Sequence, residues 1–140
     1  MKYWLVKSEP FKYSWEQLLK DGQTFWDGVR NYQARNNLRE MKIGDKILFY
    51  HSNEGLCVVG IAEVAREAYP DPTIDDERWV AVDIRPLKAL PEPVTLKDMK
   101  MQQALAEMGL IRQGRLSVVS LTKKEFGTVL KMGGLAPGDI

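Results

Sequence analysis

FWDGVRNYQARNNLREMKIGDKILFYHS, from Phe25 to Ser52, changes local structure three times and carries the chain's densest set of stacking and hydrogen-bonding side chains. Trp26-Asp27-Gly28 reads as a turn, since Asp and Gly favour turn conformations. Asn31 is a preferred N-cap. From it Ala34, Leu38 and Met41 recur at helical spacing as one apolar face. Arg35 and Arg39 share another face. The helix is expected to end near Lys42, with Gly44-Asp45 turning the chain. Lys46 to His51 is β-branched and aromatic enough to be a strand. Free N–H groups at the helix start favour an anion beside Trp26.

Taken singly, Trp26 and Phe49 read as core aromatics, and Arg35 and Arg39 as a solvated face. Together with their neighbours they read differently. Arg30-Asn31-Tyr32-Gln33-Ala34-Arg35-Asn36-Asn37 is a costly way to build a surface helix, because Asn is a poor helix former. The segment is therefore expected to form the wall and floor of a pocket for a flat, polar ligand. A nucleobase fits that description best.

On the N-terminal side, Tyr3 to Lys7 reads as a strand with Tyr3, Leu5 and Lys7 on one face and Trp4, Val6 and Ser8 on the other. Pro10 keeps the residue before it extended. Lys7 and Ser8 at the strand's mouth suit a phosphate or carboxylate. Ser14-Trp15-Glu16-Gln17 matches a capping box, for a short helix that turns Trp15, Leu18 and Leu19 inward and stops at Asp21-Gly22.

On the C-terminal side, His51 to Gly55 reads as a hairpin loop, followed by a strand from Leu56 to Arg66. Gly60 inside it suggests a bulge or a close backbone approach. Tyr69 to Thr73 reads as a rigid loop and Asp75-Asp76-Glu77 as a solvated acidic patch. Trp79 to Leu87 is another strand, with Val80, Val82 and Ile84 toward the core and Trp79 on the opposite face or at a bend. Pro86, Pro91 and Pro93 are expected to break the chain into a wrapping loop. Thr95 starts a short helix toward Met101, and a second helical piece within Gln102 to Met108 should end at Gly109. Arg115 to Leu121 is extended. Thr122 caps a last helix through Lys131, packed by Phe126, Val129 and Leu130 and closed by Gly133-Gly134. Several strands with short helices between them argue for a mixed, mostly antiparallel α+β barrel rather than a βαβ fold.

At 140 residues with a formal net charge of +1, the chain is sized for one domain and lacks the strong basicity of proteins that grip long duplexes electrostatically. A pocket that reads one base needs only a few local cations. Cys57, the single cysteine, lies in an apolar run and reads as a buried, inert thiol. No Cys/His cluster suggests a metal, no cofactor motif is present, and no stretch is apolar enough to span a membrane. The N-terminus meets a charge too early for a signal peptide, so a cytoplasmic location is expected, or a nuclear one in a eukaryotic source. His51 and Asp27 are the only reasonable nominees for a general base, and an enzyme is not expected.

Tyr3 to Pro10, Trp26 to Asn37 and Gly44 to Ser52 resemble the signature segments of the EVE domain family. Gly60 to Val64 and Arg115 to Val119 give weaker support. The resemblance runs over nearly the whole chain, with Ser120 standing where a proline is expected. It implies a PUA-like fold, a small mixed β-barrel with helices around it, related to PUA, ASCH and YTH domains. It also implies a nucleic-acid-binding module that recognises a modified base, such as modified cytosine in DNA or a modified base in RNA.

A flipped base needs an aromatic face and polar groups for its edge. Trp26 is the first choice for that face, with Tyr50 and Trp79 as further walls and Tyr32 in the same concavity. Asn31, Gln33 and Asn36 are suited to the edge, because an amide both donates and accepts. Lys7, Arg30 and Arg35 would hold a phosphate or an acidic substituent, and His51 would stack or hydrogen-bond. The alternatives are a small-anion or metabolite sensor using Lys7 and the Asn31 helix start, and an enzyme acting on a nucleotide or RNA.

Overall fold

The computed structural model describes residues 1–140. Its centre is strand β3 (Lys46–His51), whose residues Ile47, Leu48, Phe49 and Tyr50 are all buried. β1 (Tyr3–Ser8) runs parallel to it, in register from Tyr3↔Lys46 to Ser8↔His51. β4 (Cys57–Pro70) pairs antiparallel on its other side. β5 (Val80–Thr95) follows β4, and the short β2 (Thr24–Trp26) pairs with β5 at Val82–Ile84. β6 (Val118–Leu121) pairs antiparallel with β1. The strand order is β2-β5-β4-β3-β1-β6, one mixed, mostly antiparallel sheet. No helix is long and apolar enough to cross a membrane.

The expected closed barrel is corrected here: β2 and β6 are free edges and do not pair with each other. Helix α2 (Tyr32–Glu40) lies against β6 on one side and β4 and β5 on the other. Packing of its apolar face therefore bridges a gap that strand–strand hydrogen bonds would close in a barrel. That face is the one read from the sequence, with Ala34, Leu38 and Met41 fully buried. Asn31 caps the helix by accepting from the Ala34 N–H at 2.9 Å.

α1 (Trp15–Asp21) is capped by Ser14, which accepts from the Gln17 N–H at 3.0 Å. Gln17 then reaches forward to Asp21, so only half of the capping box forms. Leu19 faces solvent instead of the core. Gly60 meets both expectations placed on it. The β3–β4 and β4–β5 registers shift beside it, and a Cβ there would overlap the Trp15 ring.

β4 runs on through Tyr69 to Pro70, and β5 continues through Pro86, Pro91 and Pro93. The prolines are tolerated because β2 covers β5 only at Val82–Ile84, so the outer edge beyond has no ladder to break. Trp79 precedes β5 and is buried. α3 (Leu96–Lys100) starts at the Thr95 cap, and a 3-10 turn spans Gln103–Leu105. Gly109 begins α4 (Gly109–Arg112) rather than ending a helix. α5 (Lys123–Met132) carries the full reciprocal box between Thr122 and Glu125. Cys57 is buried, and burial pushes its thiol pKa up.

Candidate functional site

Because β1 and β3 are parallel, their C-terminal ends emerge side by side, with Lys7 opposite Tyr50. Over these ends lies a cavity of about 1060 Å³, walled by β2 and the loop to Asn31 on one side and the 114–117 loop on another. Small-molecule sites fill about 300–1,000 Å³, so this cavity has room for a nucleotide and part of its neighbour.

Trp26 ends β2 and is half-buried in the cavity wall. Phe49 and Tyr13 brace its ring at near right angles, with centroids at 5.6 and 6.2 Å. Lys7 donates from Nζ to the Gly114 carbonyl at 2.7 Å, and burial lowers its pKa. The Ser8 hydroxyl donates to the Tyr13 carbonyl at 2.5 Å. Burial, and then the nearby Cys57, push the Tyr50 hydroxyl up to about 12, so it stays neutral. The capping oxygen of Asn31 is engaged, which leaves its amide N–H₂ for a ligand.

The Gly28–Arg30 rim is fixed by Asp71, a residue that the sequence marks only as part of a rigid loop. Its fully buried carboxylate accepts from the Gly28 N–H and Arg30 Nη1, both at 2.9 Å. It also accepts from the Thr73 N–H at 2.8 Å and the Thr73 hydroxyl at 2.6 Å. Burial works against its charge, but the bonds from Thr73, Gly28 and Arg30 outweigh it and hold the pKa at about 2. Arg30 is thereby oriented at the mouth. The lining carries Lys7, Lys12, Arg30 and Arg115 against Glu9 and Asp27, and Glu9 is paired with Lys12 at 3.2 Å. Arg30 is likewise paired with Asp71, which leaves Lys7 and Arg115 against Asp27 as the lining charges outside an ion pair.

Lys7, Ser8, Trp26, Arg30, Asn31 and Tyr50 therefore meet at one cavity. The structure separates the other expected residues from it. Tyr32 stacks on Trp79 at 5.0 Å, Arg35 lies over Tyr32 at 4.9 Å, and Arg30 lies over Trp79 at 5.7 Å. Asn36 accepts from Arg35 in the same outer cluster. Burying Ala34 and Leu38 turns Tyr32, Arg35 and Asn36 away from the cavity. Gln33 lines a smaller neighbouring hollow. His51 Nε2 accepts from the Trp15 N–H at 3.1 Å, and burial lowers the ring's pKa. Tyr13, Gly114, Arg115 and Ser117 line the cavity without having been singled out as site residues.

The EVE domain family matches the chain over residues 2–132. Mouse thymocyte nuclear protein 1 is 38% identical, over 96% of this chain and 75% of its own length. A protein of Agrobacterium tumefaciens superposes with a TM-score of 0.96 at 54% identity, covering 98% of this chain and 96% of that one. Human THYN1, solved in complex with DNA containing 5-methylcytosine, superposes at 0.91 with 34% identity, covering 98% and 100%. The YTH domain of the Zygosaccharomyces rouxii MRB1 protein shares the fold, at 0.57 and 15% identity over 96% of this chain and 88% of that one.

Proposed function

The chain belongs to the EVE domain family, and from that premise we propose that its cavity takes up a modified base of a nucleic acid, with modified cytosine in DNA first and a modified base in RNA second. The observation that carries this is Trp26, an indole half-buried in the cavity wall and braced by Phe49 and Tyr13. A base leaving its stack exchanges one aromatic surface for another there. Asn31 offers donors to the base edge, and Lys7, whose Nζ is bonded to a neutral carbonyl, balances the strand's charge. Leu56, Leu96 and Leu110 in the lining give a methyl substituent an apolar contact. The open sheet, with α2 packed between β6 and the β4–β5 side, is on this view a PUA-like fold. The relative solved with 5-methylcytosine DNA supports the ligand class.

The chain acts by binding rather than turnover. Its only histidine spends Nε2 on the Trp15 amide and is not free to take a proton from a substrate. It works where nucleic acid is, the nucleus of a eukaryote or the cytoplasm of a bacterium.

Titrating paired oligonucleotides with and without 5-methylcytosine, read by tryptophan quenching, tests the proposal. Preferential binding of the methylated strand, weakened about tenfold or more by Trp26→Ala, is expected from the stacking free energy of about 1–3 kcal/mol per base. Equal affinity for both strands across a panel of modified bases overturns it.

A further inference from the structure

The main cavity does not end at its own wall. A second hollow of about 270 Å³ adjoins it, lined by Asn31, Gln33, Gln113, Gly114, Arg115 and Leu116. Asn31, Gly114 and Arg115 line both spaces, so they form the junction between them. The hollow falls below the roughly 300 Å³ at which small-molecule sites begin. By size it is an annex to the larger cavity rather than a site with a ligand of its own.

Its lining differs in kind. The large cavity mixes aromatic, aliphatic and charged groups, whereas the annex has one aliphatic residue, Leu116, among amides, a glycine and a guanidinium. Such a surface hydrogen-bonds to a polar edge and offers no ring to stack on. The loop that supplies most of it is held in place. Gln113 closes α4 with its N–H on the Gly109 carbonyl at 2.7 Å, and the Leu116 N–H reaches the Gln113 carbonyl at 2.9 Å. Lys7 clamps the Gly114 carbonyl, and the Lys7 N–H takes the Ser117 carbonyl at 3.0 Å.

Gly114 is the informative position. A Cβ there would meet nothing within 4 Å, so the protein's own packing does not require a glycine. At the junction of the two hollows Gly114 adds no side chain to either lining. Glycine is the residue that lets a ligand approach backbone closely.

We propose that the annex seats the nucleotide next to the modified base, with Arg115 on the phosphodiester that joins the two and Gln33 and Gln113 reading the neighbour's edge. The proposal rests on the base-binding function above and adds sequence context to it. A guanidinium at the junction of the two spaces lies where the linking phosphate must pass, and its fork matches phosphate oxygens. The paired donor and acceptor of a glutamine amide match an adenine edge best, so a neighbouring adenine is favoured.

The test uses the full chain with two classes of probe, titrated side by side. One is free 5-methyl-2′-deoxycytidine. The other is a set of single-stranded oligonucleotides carrying 5-methylcytosine beside each of the four bases. Arg115→Ala is expected to weaken oligonucleotide binding about tenfold and lower the salt slope by about 1, and to weaken the free nucleoside, which has no linking phosphate, several-fold less. Gln33→Ala with Gln113→Ala, both exposed positions, is expected to erase the neighbour preference with little change in melting temperature. If wild type binds nucleoside and oligonucleotides equally, the annex is overturned while the base cavity stands. The annex is likewise overturned if Arg115→Ala weakens the nucleoside as much as the oligonucleotide, or if neither variant differs from wild type. A wild-type protein that binds none of the probes overturns both proposals.

Discussion

Trp26 is half-buried rather than sealed in the core, and that divides the consequences of removing it. Replacing a sealed tryptophan with alanine costs about 3–5 kcal/mol. Trp26→Ala is expected to cost less, about 1–2 kcal/mol by thermal melting, while removing the stacking surface from the cavity. Asp71 is the opposite case, a fully buried charge beneath the cavity rim. Its pKa falls from the ordinary 3.8 to about 2 on folding, so the ionised form favours the folded state. That stabilisation, about 2 kcal/mol, is complete above the ordinary carboxylate range and is lost as pH falls through about 2. Asp71→Asn is expected to lower stability by about that amount at pH 7, and the gap to wild type should close in denaturant titrations run toward pH 2. Trp26 is legible as a cavity residue because it stands in a local cluster of unusual composition. Asp71 is not, because its partners Gly28 and Arg30 lie more than 40 residues earlier and leave no periodic trace.

β3 and α2 are readable at the level of elements because each is bounded by its own punctuation, Gly44-Asp45 before one and an Asn cap before the other. β5 is not, because whether a proline breaks a strand depends on which edge is paired, and that is settled by β2 far away in sequence. Tyr32, Arg35 and Asn36 belong to the helix expected of them but to its other side. Composition places them near the cavity, and only the burial of Ala34 and Leu38 fixes which way they turn. Gly60 shows a local signal with a tertiary cause. Its bulge admits the Trp15 ring, so Gly60→Ala forces either the α1 contact or the ladder to move. A loss of about 1–3 kcal/mol is expected from overpacking, measured by urea unfolding. The Trp15–His51 hydrogen bond should loosen with it, read as a shift of the His51 imidazole resonances.

Over the whole molecule, the decisive fact is that the sheet joins distant parts of the chain. β1 pairs with β3 about 43 residues later and with β6 about 115 residues later. Topologies of this kind fold slowly, in roughly milliseconds to seconds, because loop closure must precede the contacts that reward it. Stopped-flow tryptophan fluorescence is expected to place refolding in that range, and a complete microsecond phase would contradict it. The strands can be read from the sequence but their order cannot, since no local pattern records which strand lies between which. That order also bears on synthesis. The ribosome releases Trp4, Leu5 and Val6 about 110 residues before their outer neighbour, Val118–Val119. At about 5–20 residues per second, the nascent chain carries an apolar, incompletely paired strand for roughly 5–25 s. Through that interval β1 lacks its outer partner and is a target for a chaperone.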